Sequence, residues 1–247
     1  MQIVLPHIRF FYSNKDSLIV LKNDELSNSE DNIETYKEIL QIDFALGIPL
    51  YNLQTQAFTY YEKILNYASK KGFKGMLLSD LINSIFYLSA TTRDLQNSFY
   101  DELDFLIKEN TYNLLKKDDL YFHNISYLLI FKSIKNKEEL SKAYEFIRNN
   151  KENLGYLYSE FNALESENLE MLYELLTQNV RTSNRMRNLY KDNQNSNKTN
   201  GYRDFSALLI IFGKIKVWER LGIKLEYDKV NEIFLNEFGK ELSFFYF

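Results

Sequence analysis

Two histidines, His7 and His123, and no cysteine among 247 residues set tight limits on the chemistry open to this chain. Without thiols there is no disulfide scaffold, thiolate zinc site, iron–sulfur cluster or cysteine nucleophile. A Ser-His-Asp relay or a multi-histidine metal site would need one or both histidines. The phosphate-cradling GxxxxGK[ST] loop, the dinucleotide-binding GxGxxG, the zinc helix HExxH and the nucleophile elbow GxSxG are absent. Neither histidine follows an arginine at the Arg-x4–6-His spacing of the helical HEPN ribonucleases.

One spacing does suit metal chemistry. Asp119 and His123 stand four apart, so on a helix carboxylate and imidazole point the same way and could share a divalent cation. A second ligand pair would have to come from Asp101, Glu102 and Asp104, or from Glu167, Glu170 and Glu174. The run Asp118-Asp119-Leu120-Tyr121-Phe122 has the form of the aspartate-rich magnesium motif of terpene synthases. That family's second, Asn/Ser/Glu metal motif does not follow in order. Asp118 or Asp119 capping a helix, with His123 partly buried, accounts for the same residues. No cofactor is expected.

Charge is more informative. Between residues 181 and 203 lie Arg181, Arg185, Arg187, Lys191, Lys198 and Arg203 against the single acid Asp192, a net charge of +5 in a chain whose net charge is −4. Thr182, Ser183, Asn184, Asn188 and Tyr190 are interleaved with them. Those are the side chains that contact phosphate and sugar. A solvated helix end carries cations for a different reason, because they suit the C-terminal dipole. Residues 24–38 hold the opposite charge in Asp24, Glu25, Glu30, Asp31, Glu34 and Glu38, offset by Lys37 alone. The two windows could meet within one molecule or pair head to tail between copies. The chain also closes on Phe244, Phe245, Tyr246 and Phe247, which invites burial or capture by a partner.

The elements that must position these residues follow from periodicity. Residues 3–12 and 18–22 are rich in β-branched and aromatic types around the turn-like Ser13–Ser17, so 1–22 reads as a small N-terminal β-hairpin. From Asp31 onward apolar residues recur every three or four positions. Helices are expected from Asp31 to the Gly47/Pro49 stop and from Leu53 to Lys71. Two more fall between Leu77 and Leu115, broken near Thr91-Thr92. A fifth begins at Asp118 or Asp119, and a sixth at Asn136, whose spacing to Glu139 is that of a capping box. Residues 151–163, 165–190, 204–221 and 228–246 supply the rest. Leu154-Gly155 and Tyr158 match the start of a tetratricopeptide unit, but Glu167 and Met171 stand where its later small and aromatic residues belong, and no tandem copy exists.

The expected fold is therefore all-α, a multi-helix orthogonal bundle of roughly nine to ten helices with a small N-terminal β-hairpin. Residues 1–247 are expected to form a single helical domain, with 193–200 a mobile Asn-rich loop and 204–246 a C-terminal helical hairpin. The start, MQIVLPHIRFFYSNK, carries Arg9 within its apolar stretch and shows no small-residue cleavage site, unlike a secretory signal. The longest apolar run, Ala207–Phe212, is too short for a membrane span. A cytoplasmic location is expected. With no complete catalytic constellation, the expected function is that of a non-catalytic adaptor working through protein partners or self-association. Nucleic-acid binding by the 181–203 window is the alternative, and a metal-dependent enzyme using Asp119 and His123 the distant one.

Overall fold

The computed structural model of the chain describes residues 6–8, 33–45, 48–71, 76–92, 97–112, 119–192, 204–238 and 242–244, with the single positions 23 and 95. Ten α-helices carry most of the described residues: α1 (Ile33–Ala45), α2 (Gln54–Lys71), α3 (Met76–Thr91), α4 (Asn97–Tyr112), α5 (Asp119–Ser133), α6 (Lys137–Asn149), α7 (Tyr156–Glu165), α8 (Leu169–Asp192), α9 (Asp204–Arg220) and α10 (Tyr227–Phe238). Short 3₁₀ turns, Leu50–Leu53 and Lys151–Asn153, precede α2 and α7. No described helix is long and apolar enough to cross a membrane.

The helix ends show local chemistry deciding the boundaries. Asn136 caps α6, its side-chain oxygen accepting the Glu138 N–H at 3.0 Å. The reciprocal half of the expected capping box is missing: the Asn136 N–H goes to the Ser133 carbonyl, and Glu139 binds Lys132 and Lys142 instead. Asn168 caps α8 through the Met171 N–H. Two helices end in Schellman motifs. At α9, Gly222 takes φ +101°, while the N–H groups of Gly222 and Ile223 donate to the carbonyls of Glu219 and Trp218. At α7 the same pair of bonds runs from Glu167 and Asn168 to Leu164 and Ala163, with Glu167 at φ +49° in the place usually held by glycine.

Gly155 explains why the expected 151–163 helix starts late. Its backbone stands at φ +52°, ψ −126°, a state closed to residues with a Cβ, so no helix runs through it and α7 begins at Tyr156. The C-terminal helix is shorter than the period suggested. Its described course is Tyr227–Phe238, and it does not continue to 246. Residues Leu242–Phe244 form instead a strand, β2, antiparallel to β1 (Pro6–Ile8), with Pro6 opposite Phe244 and Ile8 opposite Leu242. The remainder of the expected 1–22 hairpin and all of the 193–200 loop lie outside the described residues.

The core is organised around α9. Its principal neighbour is α3, and it also packs on α8 and α1. Three consecutive residues of α9 face three different sides. Phe212 meets Phe44 of α1 edge-on and stacks on Phe234 of α10, with ring centres 6.0 and 5.3 Å apart. Gly213 presses on the backbone of α3, where a Cβ would stand 2.3 Å from the Phe86 carbonyl oxygen. Lys214 reaches the opposite side, to α7 and α5. A helix that is apolar around its circumference is one that other helices surround. At its C-terminal end Arg220 donates to the Thr92 carbonyl at 2.7 Å, placing a cation at the carbonyl end of α3.

Candidate functional site

The most unusual chemistry in the fold is a charge cluster sealed in the core, made of residues that no motif singles out. Glu160 lies on the buried side of α7 between Leu157, Phe161 and Leu164. Lys214 of α9 donates to Glu160 Oε2 at 2.6 Å, with their side chains 13% and 5% exposed. The hydroxyl of Tyr127, on α5, donates to the same oxygen at 3.3 Å. The Lys214 ammonium also stands 5.4 Å from the centre of the Tyr127 ring, a cation–π contact strengthened by the dry setting. Around them Tyr127 meets Phe86 of α3, Phe131 of its own helix and Phe161 of α7, with ring centres 5.1, 6.2 and 5.3 Å apart.

Burial by itself would push the Lys214 ammonium down, but the Glu160 carboxylate, and next the Tyr127 hydroxyl, hold it above its ordinary value. Burial, and then the charge of Glu160, hold the Tyr127 phenol well above its ordinary value. Lys214 therefore keeps its proton and Tyr127 keeps its own. Neither is a nucleophile or a base in this state, and the cluster works as a neutralised, directional tie between three helices.

The basic window divides. Arg181, on α8, is 66% exposed and its Nε donates to Glu237 of α10 at 2.9 Å. The neighbouring Asn184 side chain donates to the Glu237 carbonyl. Because α8 runs unbroken to Asp192, Arg185 follows Arg181 by one helical turn. Arg187 instead stands in register with Val180 and Ser183, both buried, about 120° around the helix from Arg181. The four helical cations thus span two sides of α8 rather than one face. The side chains of Arg185, Arg187 and Lys191 lie outside the described residues, as do Lys198 and Arg203.

His123 is half-buried on α5, its ring 6.3 Å from that of Tyr156 at the start of α7. The Asp119 side chain lies outside the described residues. Two of the acids considered as further ligands are engaged elsewhere: Glu102 accepts the Tyr61 hydroxyl at 2.6 Å, and Asp104 holds Lys132 at 2.6 Å. Among the described residues no three His, Asp or Glu side chains gather as a metal site would need. In the acidic window, Glu34 pairs with Lys37 at 3.1 Å and Lys37 also faces Asp80 at 3.8 Å; residues 24–31 lie outside the described residues. Of the C-terminal aromatics, Phe244 belongs to β2 by its backbone, and 245–247 lie outside the described residues.

The outer surface carries exposed aromatic rings. Tyr51 is 53% and Phe58 41% exposed, seven residues apart along α2 and the turn before it, and the partly buried Leu65 continues the line. On the same helix Tyr60 and Tyr61, two and three residues after Phe58, are buried in the core.

No protein-family model, no curated protein and no solved structure matches the chain.

Proposed function

We propose that this chain is a helical binding protein acting through protein–protein contacts, and that the Tyr51–Phe58–Leu65 ridge, on α2 and the turn before it, is its contact surface. The observation that carries the reading is the exposure of two large rings at heptad spacing. Covering an apolar side chain of that size is worth roughly 1.5–3 kcal/mol, and partly exposed aromatics are the residues on which protein interfaces concentrate their energy. Heptad spacing suits a partner helix lying along α2.

The test is to isolate the tagged protein from its own host, with Phe58→Glu and Tyr51→Glu beside the wild type. A partner, or a second copy seen by light scattering, should accompany the wild type and be lost from both variants, with their circular dichroism and melting temperature unchanged. A wild type that elutes alone as a monomer, or a partner retained by both variants, overturns the reading.

A second reading, nucleic-acid binding by the 181–203 window, draws support from the unbroken course of α8 and the exposure of Arg181. Each phosphate contact contributes about −0.9 to the slope of log affinity against log salt on duplex DNA. Arg181→Ala and Arg185→Ala should each flatten that slope by about one, and Arg187→Ala, set on the other side of the helix, should not. No binding to single- or double-stranded DNA or RNA at low salt removes this reading.

A further inference from the structure

We infer that α7 is a separately opening segment of the core, latched shut by the Glu160–Lys214 pair. Three observations support it. First, the helical course is broken at both ends of α7: Gly155 and Glu167 each hold a positive φ, so the helix is continuous with neither flanking segment. Second, its principal backbone neighbours are α6 and α8, the helices next to it in the chain. Its ties to α5 and α9 are made by side chains: Glu160 to Lys214 and Tyr127, Phe161 to Tyr127, and Tyr156 to His123. At its last residue Glu165 pairs with Arg148 of α6.

Third, a buried ion pair makes closure nearly all-or-none. Both charges are tolerated inside only when each finds the other, and a partial slip would leave two unpaired charges in an aromatic setting. Outward movement of α7 from its two broken ends would hydrate both charges together and turn the Phe161 and Tyr127 rings toward solvent. Local units of a fold open at free energies that range up to that of global unfolding, and the latch places α7 below that limit.

The chain has no thiol, so one introduced cysteine reports on one place. Ala163 in α7 and Ala68 in α2 are both fully buried. Under native conditions Ala163→Cys should react with a thiol reagent at least about tenfold faster than Ala68→Cys. Adding Glu160→Gln, which leaves the Lys214 charge unpaired, should speed Ala163→Cys by a further factor of about ten or more and leave Ala68→Cys within about twofold. Equal rates at the two positions, or equal acceleration of both by Glu160→Gln, would mean that α7 opens only when the whole molecule unfolds. Should Glu160→Gln fail to fold, native-state hydrogen exchange on the wild type decides. Amides of 157–164 whose opening depends less steeply on urea than those of α3 and α9 support the latch, and the same dependence in all three helices overturns it.

Discussion

Glu160 Oε2 receives two donors from two other helices, and the cost of removing either side of that arrangement can be stated. Lys214→Met leaves a carboxylate in the core with only the Tyr127 hydroxyl, so it should destabilise by about 3–5 kcal/mol in urea unfolding. Glu160→Leu combined with Lys214→Met leaves no charge behind and should restore most of that loss. Gly213 has no such remedy. The atoms opposing its missing Cβ belong to the α3 backbone, which cannot rotate aside. Gly213→Ala should therefore cost at or above the upper end of the usual overpacking range of about 1–3 kcal/mol.

The buried phenols make a pH prediction. Burial, then the charge of Asp80, raises Tyr60; burial, then the hydrogen bond to Glu102, raises Tyr61; Tyr127 is raised likewise. Lys214 is also raised. All four keep their protons in the fold at a pH where the unfolded chain loses them. Their contribution is fully present below the ordinary tyrosine and lysine values, near 10 and 10.5, and is lost as pH climbs beyond them. Each such group removes roughly 1.4 kcal/mol per pH unit in that range. Alkaline titration should thus show tyrosinate absorbance for these residues rising together with loss of helix, not before it.

At the scale of the element, most boundaries were legible because short-range chemistry sets them. The Gly47/Pro49 stop, the break after Thr91, the Asn136 cap and the close of α2 at Lys71 all fall where local residue preferences place them. Where two local signals competed, the backbone decided. Gly155 overrode the apolar period of 151–163, and Leu242–Phe244 entered a strand although apolar residues continued to recur. The Schellman ends supply a paired prediction. Gly222→Ala should cost about 1 kcal/mol, because alanine pays for φ +101°. Glu167→Gly should raise stability by up to about 1 kcal/mol, relieving the same strain at the end of α7. Thermal or urea unfolding checks both, and a loss of stability on Glu167→Gly would mean that the side chain does more than tolerate its backbone.

At the scale of the molecule, α9 makes the C-terminal segment indispensable to the rest. It follows the Asn-rich 193–200 stretch, yet packs against α3, α1 and α8. Limited proteolysis should cut within 193–200 and leave fragments that stay associated through the Phe212, Gly213 and Lys214 contacts. Fragments that separate and remain helical would show two folding units instead. The sequence by itself determined the all-helical class and most ends of the described helices, because periodicity and capping act over a few residues. It also showed Ala207–Phe212 as the longest apolar run, without saying that α9 is the helix the others surround. Only the tertiary structure decided that Gly213 meets Phe86, that Arg181 answers Glu237, and that Glu160, Lys214 and Tyr127 share one buried site. Those pairings join residues 33 to 127 positions apart, and no local pattern marks them. A lone Glu on α7 or Lys on α9 reads as a solvated charge until the packing of three helices removes the water from both.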